Sequence, residues 1–161
     1  MLRKHIIPAD APSAPRSGGS EIEIPAVATI LLTSEAPEYP IDHVFDRRRG
    51  PGGTRWVAAE PGEQTIILAF DAPQTIQQIV VEIEETDVVR TNDLQLALSG
   101  DGGQSYREVL RQEYTFSPPG TTFEREEWVI RSRGVTHLRL RIKPHKSGNA
   151  SRATLTSLVL R

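Results

Sequence analysis

A polar segment, SGDGGQSYREV at residues 99–109, separates two runs that have the alternating pattern of β-strands. Leucines occupy every second position over residues 94–98, and a second alternating run starts at Tyr106. Asp101 tolerates a left-handed backbone conformation, and the glycines that follow it adopt that conformation freely. The segment therefore predicts a tight turn between antiparallel strands, and it indicates a chain that is built from β-hairpins.

Similar strand patterns recur at short spacing along the chain. Over residues 135–143, leucine and isoleucine alternate with arginine and lysine, which is typical of an antiparallel sheet packed on one side. The single predicted helix is a turn or two around residues 40–45. Eight or nine mainly antiparallel strands without a long helix predict an all-β fold, a jelly-roll β-sandwich. The predicted strands are 28–33, 56–59, 64–70, 79–84, 93–99, 106–116, 122–130, 135–143 and 153–160.

The length of 161 residues predicts one domain, preceded by a segment of different composition. Residues 8–20, PADAPSAPRSGGS, are rich in proline, glycine and serine, so they bury too little apolar surface to offset the entropy of ordering them. We therefore expect residues 1–21 to form a flexible N-terminal arm and residues 22–161 to form the folded domain.

The composition excludes several classes of protein. The chain has no cysteine, which excludes a disulfide framework and Cys-ligated zinc, and its net charge is −2, so no overall field attracts nucleic acid or membranes. The N-terminal segment lacks the roughly 7–15 apolar residues of a signal-peptide core, and no run approaches the roughly 18 that span a membrane. We expect a cytoplasmic protein, with a domain excised from a longer secreted chain as the alternative.

An ordered series of segments in residues 27–161 resembles the discoidin-like (coagulation factor 5/8 C-type) domains, which are galactose-binding domain-like. This resemblance implies a jelly-roll ligand-binding module that has no catalytic residues of its own. Members of the wider fold bind sugars, phospholipid head groups, DNA-repair partners or other proteins, so the fold does not fix the function. The segments are YPIDHVFDRRRGPGGTRWVA at 39–58, FDAP at 70–73, TIQQIVVEIEE at 75–85, RTN at 90–92, SGDG at 99–102 and ATLTSLVL at 153–160.

The same resemblance raises the question of calcium. Many members hold Ca²⁺ with a loop that runs from an Asp to a Thr, matched here by Asp46 and Thr54, together with a position in the last strand that is often Glu. The last strand of this chain has Thr156 and Ser157 instead of a carboxylate. Because Ca²⁺ takes about six to eight oxygen ligands, several of them charged, we expect no required cofactor and at most weak calcium binding through Asp46, Thr54 and backbone carbonyls.

One end of the predicted sandwich collects the polar loops. Loops alternate between the two ends of consecutive antiparallel strands, so if the turn at 100–103 is at one end, the loops 34–55, 85–92, 117–121 and 144–152 meet at the other. We expect Arg90 to contact a ligand directly through its fork of donors, with His43 and Asn149 on either side. The candidate ligand-binding residues are Tyr39, His43, Arg48, Arg90, Asn92, His145 and Asn149.

These residues favour a non-catalytic module that binds carbohydrate, or another polyhydroxylated or anionic ligand. The alternative is a scaffold that uses the basic loops to bind a protein or, less favoured, a nucleic acid.

An enzyme is disfavoured because there is no nucleophile elbow, zinc motif or pair of carboxylates across a cleft. The turn at Asp101 also resembles a sialidase Asp-box, but one such turn cannot make a propeller. Glu82 and Glu84 are expected to pair with Arg139 and Arg141 across strands.

Overall fold

The computed structural model describes residues 20–147 and 150–161, which form eight strands and two short helical segments. The helical turn that the sequence predicts around residues 40–45 is present as a 3₁₀ helix, whereas the four-residue helix α1 was not predicted. In chain order the elements are α1 (Ile24–Val27), β1 (Ala28–Leu32), the 3₁₀ helix (Ile41–Phe45), β2 (Trp56–Pro61), β3 (Gln64–Glu84), β4 (Arg90–Ser99), β5 (Arg107–Phe116), β6 (Phe123–Lys143), β7 (Arg152–Leu155) and β8 (Ser157–Leu160).

Two long strands, β3 and β6, run through both layers of a sandwich. Each has 21 residues, and they pair antiparallel along their whole length, with register shifts between Ala69 and Gln78. The first layer has the strand order β1–β3–β6–β4–β5. In the second layer, the second half of β3 pairs with the first half of β6 and with β8, while β2 and β7 form a separate two-stranded sheet. The sequence predicted each long strand as two separate strands.

Apolar side chains from the predicted alternating strands fill the space between the layers. Ile66, Leu140 and Leu96 lie side by side on β3, β6 and β4, and each is at most 1% exposed. From the second layer, Ile79 and Leu160 pair with each other and join the same apolar cluster. Cross-strand apolar neighbours of this kind are the main stabilising contacts of a sheet. The predicted all-β, mainly antiparallel jelly-roll sandwich is confirmed.

Trp56 anchors the long loop between β1 and β2. Its side chain is completely buried, and its indole Nε1–H donates to the backbone oxygen of Ser34 at 3.1 Å. The backbone oxygen of Trp56 accepts a hydrogen bond of 2.9 Å from the hydroxyl of Thr154 on β7. Ile41 and Val44, from the 3₁₀ helix in this loop, are also buried in the core. The loop is therefore attached to the sandwich at several points along its length.

The predicted pairing of Glu82 and Glu84 with Arg139 and Arg141 is wrong. Arg139 and Arg141 lie opposite Ile67 and Thr65, in the first half of β3, because the register of the two long strands places the glutamates in the other layer. Both glutamates are largely buried there, and their carboxylates accept hydrogen bonds from the backbone N–H groups of Gly50 at 2.8 Å and Gly52 at 2.9 Å. They hold the β1–β2 loop against the second layer.

The predicted boundary between arm and domain stays a prediction, since residues 1–19 of the arm lie outside the described residues. Glu21, the last residue assigned to the arm, contacts the folded domain, where its carboxylate accepts two hydrogen bonds of 2.7 Å from Arg49. The backbone N–H of Ile22 donates to the oxygen of Leu160 on β8. None of the helices in residues 20–147 and 150–161 is long and apolar enough to cross a membrane.

Candidate functional site

The loops that the sequence assigned to one end of the sandwich do meet there. This upper end carries the connections β1–β2, β3–β4, β5–β6 and β6–β7, and the opposite, lower end carries the β4–β5 turn. A cleft of about 190 Å³ opens between three of the upper connections, and we call it the upper cleft. Its lining includes Arg55 from the first connection, Asp87 and Arg90 from the second, and Arg152 from the last.

Arg90 forms the floor of the upper cleft. Its guanidinium pairs with the carboxylate of Glu85 at 2.6 Å and donates from Nη1 to the backbone oxygen of Arg152 at 2.8 Å. Burial of the guanidinium lowers the pKa of Arg90, and the charge of Glu85 opposes that effect. The other carboxylate oxygen of Glu85 accepts the backbone N–H groups of Asp87 and Val88. Arg90 therefore joins two of the loops and holds them in place.

The walls of the upper cleft carry both hydrogen-bond donors and acceptors. Arg55 and Arg152 make no ion pair with any residue that the structure describes, so their guanidinium groups have donors to offer. Asp87, from the β3–β4 loop, lines the same cleft, is exposed and offers carboxylate oxygens. Guanidinium donors and carboxylate acceptors in one cleft can bind the same hydroxyl group from two sides, since a hydroxyl both donates and accepts.

A second cleft of about 320 Å³ adjoins the first, and the two share Arg55. It is lined by Tyr39, His43, Gly53, Thr54 and Arg55. The guanidinium carbon of Arg55 lies 5.4 Å from the centre of the Tyr39 ring, within the range of a cation–π contact. The Nδ1 atom of His43 is 2.9 Å from the backbone oxygen of Arg55 and so donates a proton to it. Tyr39 and His43, two predicted site residues, thus lie beside Arg55.

Other predicted site residues lie elsewhere. Asn92 is completely buried between the layers. It lies two residues before Leu94 on β4, so its side chain faces the interior as that of Leu94 does. The Nδ1 atom of His145 accepts the backbone N–H of Ser147 at 3.1 Å within its own loop. Arg48 is exposed on the β1–β2 loop, and Asn149 lies outside the described residues. The structure therefore brings together Tyr39 and His43, with Arg90 in the neighbouring cleft, and it places Asn92 out of reach of a ligand.

Arg55, Asp87 and Arg152 lie in the loops that the sequence assigned to this end, but none was among the predicted ligand-binding residues. Arg55 directly precedes the buried Trp56, and Arg152 opens β7, so both backbones are fixed where the chain enters a sheet. The available signal for Arg55 was its position at the end of a loop, directly before the aromatic residue Trp56 that opens a predicted strand. No local pattern marks Asp87, which reaches the cleft because Glu85 and Arg90 fix the two ends of its loop.

The residues predicted to hold calcium are bonded to each other. One oxygen of the Asp46 carboxylate accepts the hydroxyl of Thr54, and the other accepts the backbone N–H of Arg48 at 2.9 Å. The nearby carboxylates of Glu82 and Glu84 accept N–H groups of the same loop. No group of three or more histidine, aspartate or glutamate residues in the described part of the chain is arranged to hold a metal ion. This set of ligands does not fit a strong calcium site.

Two arginines of the RRR segment are neutralised within the molecule. Arg47 pairs with Glu23, and Arg49 forms a two-bond pair with Glu21 at 2.7 Å. The hydrogen bonds from Arg49 lower the pKa of Glu21, and those same bonds raise the pKa of Arg49. The basic surface that the alternative function requires is therefore reduced at its densest point.

Comparison with solved structures shows what this fold is. The chain is similar to CpGH89CBM32-5 from Clostridium perfringens, in complex with GalNAc-β-1,3-galactose: TM-score 0.60 and 16% identity, over 88% of this chain and 99% of that one. It is similar to the family 32 CBM of C. perfringens NanJ in complex with galactose: TM-score 0.59 and 15% identity, over 87% and 96%.

A pectin-binding carbohydrate-binding module gives TM-score 0.56 and 15% identity, over 84% of this chain and 90% of that one. No protein-family model and no curated protein matches the chain by sequence. The resemblance inferred from the sequence is confirmed at the level of the fold, which is the discoidin-like, galactose-binding-domain fold.

Proposed function

We propose that this protein is a non-catalytic carbohydrate-binding module whose ligand binds in the upper cleft. The observation that carries the proposal is that guanidinium donors of Arg55 and Arg152 and the carboxylate of Asp87 line one cleft, above the Arg90–Glu85 pair. Binding sites on rigid sandwiches are usually built from such loops. The sugar complexes of the structurally similar modules support the same class of ligand.

The cleft favours a ligand with many hydroxyl groups and with some negative charge. Each hydroxyl can accept from a guanidinium and donate to Asp87, and this arrangement suits neighbouring hydroxyls on a sugar ring. A carboxylate or sulfate group would also bind the planar fork of Arg55 or Arg152. Tyr39 adds a half-exposed aromatic ring next to Arg55, on the side of the second cleft.

The absence of catalysis is part of the proposal. Hydrolysis of a glycosidic bond needs an acid and a second carboxylate free to act on either side of that bond. In the upper cleft, the Glu85 carboxylate is paired with Arg90, and the Glu84 carboxylate accepts the N–H of Gly52. Both are engaged in holding the loops, which leaves Asp87 as the exposed carboxylate among the lining residues.

A glycan array probed at two salt concentrations, with heparin and double-stranded DNA alongside, tests this function. We expect selective binding to a small set of glycans, with part of the affinity retained at high salt, because hydrogen bonds to hydroxyl groups are screened less than ion pairs. Binding to heparin and DNA alike that vanishes at high salt would instead support the basic scaffold. Binding to no glycan by the folded protein would overturn the proposal.

A further inference from the structure

We propose that the lower end of the sandwich holds a second binding site, which takes a small ring-shaped ligand bearing a carboxylate or sulfate group. This lower cleft has a volume of about 390 Å³ and lies between the β4–β5 turn and the bend of β6 at residues 131–135. It is at the opposite end from the upper cleft, so the inference does not depend on the proposed function.

One wall of the lower cleft is the β4–β5 turn, which internal hydrogen bonds make rigid. The carboxylate of Asp101 accepts the hydroxyl of Ser99 at 2.7 Å and both the backbone N–H, at 3.0 Å, and the hydroxyl of Ser105. The Thr136 hydroxyl donates to the Ser99 backbone oxygen at 3.1 Å and accepts the N–H of Gly102 at 3.0 Å. Since Thr136 belongs to β6, these bonds also fix the distance between the two walls.

The other wall is formed where β6 leaves the regular pleat. Arg131 has φ 46° and Gly134 has φ 66°, both in the left-handed region. For arginine this conformation is uncommon, and such residues concentrate at functional sites when the surrounding structure enforces them. The two residues enclose Ser132 and Arg133, which line the cleft. The bend therefore presents a hydroxyl and a guanidinium to the opposite wall.

Two guanidinium groups face this cleft without a carboxylate partner. Arg107 donates to the hydroxyl of Ser132 at 3.3 Å across the cleft, and neither Arg107 nor Arg133 forms an ion pair within the described part of the chain. Asp101 is the one acidic residue in the lining, and three hydrogen bonds from Ser99 and Ser105 occupy its oxygens. An arriving anion therefore meets two cations that form no ion pair, and their combined charge exceeds that of Asp101, the one carboxylate in the lining.

The remaining lining residues indicate the rest of the ligand. Leu98 and Val135 supply an apolar base, and Tyr106 supplies an aromatic ring, one face of which is covered by Arg139 at 4.2 Å. A planar oxyanion fits the guanidinium fork with two parallel hydrogen bonds. The apolar base and the ring edge suit the carbon skeleton of a small ring. Glucuronate, a sugar ring with one carboxylate, meets both requirements and is the probe we choose.

Titration of the ¹⁵N-labelled full chain followed by NMR tests this site, with sodium glucuronate, glucose and sodium sulfate as separate probes. We expect glucuronate to shift amide signals in residues 99–107 and 131–135 in a saturable way, and glucose to leave them unchanged. Sulfate that shifts the same signals shows that the oxyanion alone suffices, and sulfate that does not shows that the ring is also needed. Both results support the site, whereas equal shifts by glucose and glucuronate would overturn it.

Variants separate a specific site from general charge attraction. Arg107→Gln with Arg133→Gln should weaken glucuronate binding at least about tenfold, because the carboxylate loses its charge-assisted hydrogen bonds. Both side chains are exposed, so the fold should be retained. The matched control is Lys143→Gln with Arg48→Gln, which also removes two exposed cations, neither of which lines the lower cleft. An equal loss in the control variant would overturn the site.

Arg152→Gln, in the upper cleft, distinguishes failure of this inference from failure of the proposed function. It should leave the lower-cleft shifts unchanged while weakening binding of the best glycan from the array. If glucuronate shifts only upper-cleft amides, and Arg152→Gln abolishes those shifts, the lower site is disproved and the proposed function stands.

Discussion

The guanidinium of Arg90 lies 2.6 Å from the carboxylate of Glu85, and the two side chains are only 2% and 12% exposed. The same guanidinium also bonds to the backbone oxygen of Arg152. Arg90 thus spans the β3–β4 and β6–β7 connections from below, with its Nη1 and Nη2 donors directed at protein oxygens. This relationship changes its expected role from a direct ligand contact to the residue that positions the loops which make the contacts.

Removing Arg90 should therefore destabilise the fold as well as the site. Arg90→Ala leaves the Glu85 carboxylate without its partner in a largely buried place, and breaking such a pair costs about 3–5 kcal/mol. Urea unfolding of the variant and the wild type measures this difference. The control is Lys146→Ala, which removes an exposed pair with Glu113 and should cost less than about 1 kcal/mol. An Arg90→Ala variant of unchanged stability that no longer binds glycan would restore the direct contact.

The alternating pattern that predicted β4 also indicates that the side chains of Arg90 and Asn92 are buried. Leu94 and Leu96 face the interior, and positions 90 and 92 have the same parity, so a strand that continues backwards with period two buries them as well. The polar character of Arg-Thr-Asn suggested a loop instead. Strand extension overrode this local preference, because β4 pairs with β5 from Arg90 onwards.

The sequence was sufficient for the class of fold and for the gathering of loops at one end. It was insufficient for the path of the long strands. The patterns at 64–70 and 79–84 each look like a complete strand, and only the pairing of β3 with β6 shows that one strand continues through the register shifts between Ala69 and Gln78. The misplacement of Glu82 followed from that error, since its layer depends on where the strand bends. The cytoplasmic location stays a prediction.

Trp56 should be one of the most sensitive positions for stability. Its indole is completely buried and bonds to the oxygen of Ser34, so truncation leaves a cavity and an unsatisfied carbonyl. We expect Trp56→Ala to lower the free energy of unfolding by about 3–5 kcal/mol. Chemical denaturation measures the change, with Trp128→Ala as the control, because Trp128 is only partly buried. A loss of a few tenths of a kcal/mol in Trp56→Ala would contradict its anchoring role.

Asp101 should titrate well below an ordinary aspartate. Hydrogen bonds from the side chain and backbone N–H of Ser105, and from Ser99, lower its pKa from 3.8 to about 2. Because the folded state prefers the charged form, the contribution of Asp101 to stability is complete above about pH 4 and is lost as the pH falls towards 2. NMR titration of the carboxyl carbon measures this pKa, and Ser105→Ala should raise it towards 3.8. A wild-type midpoint already near 3.8 would show that the turn is not held by these bonds.

Calcium should have little effect on stability. The Asp46 carboxylate and the Thr54 hydroxyl bond to each other, and Glu82 and Glu84 hold the loop through Gly50 and Gly52, so the loop is fixed by its own hydrogen bonds. A ligand that binds only the folded state stabilises it by RT ln(1 + L/Kd), where L is the free ligand concentration, so weak binding raises the melting temperature only slightly. Melts in millimolar CaCl₂ and in EDTA should agree within about one or two degrees. A larger stabilisation by Ca²⁺, absent in Asp46→Asn, would show that backbone carbonyls complete a site.

Arg55 should be the side chain on which ligand affinity depends most, because it lines both the upper cleft and the second cleft beside it. Its guanidinium is placed near the Tyr39 ring, and its backbone oxygen accepts the proton of His43, so little freedom is lost on binding. Arg55→Gln should weaken binding of the best glycan from the array by about 1.5–3 kcal/mol, the range for a hydrogen bond to a charged group.

Calorimetric titration at fixed ionic strength measures this change. The matched control is Arg48→Gln, which removes the same charge from the same loop at an exposed position outside both sets of lining residues. If the two substitutions weaken binding equally, the arginines act only through the overall charge of the loop. If only Arg48→Gln weakens it, the ligand lies over the RRR segment and not in the upper cleft. A loss confined to Arg55→Gln, with unchanged melting temperature, is what direct contact requires.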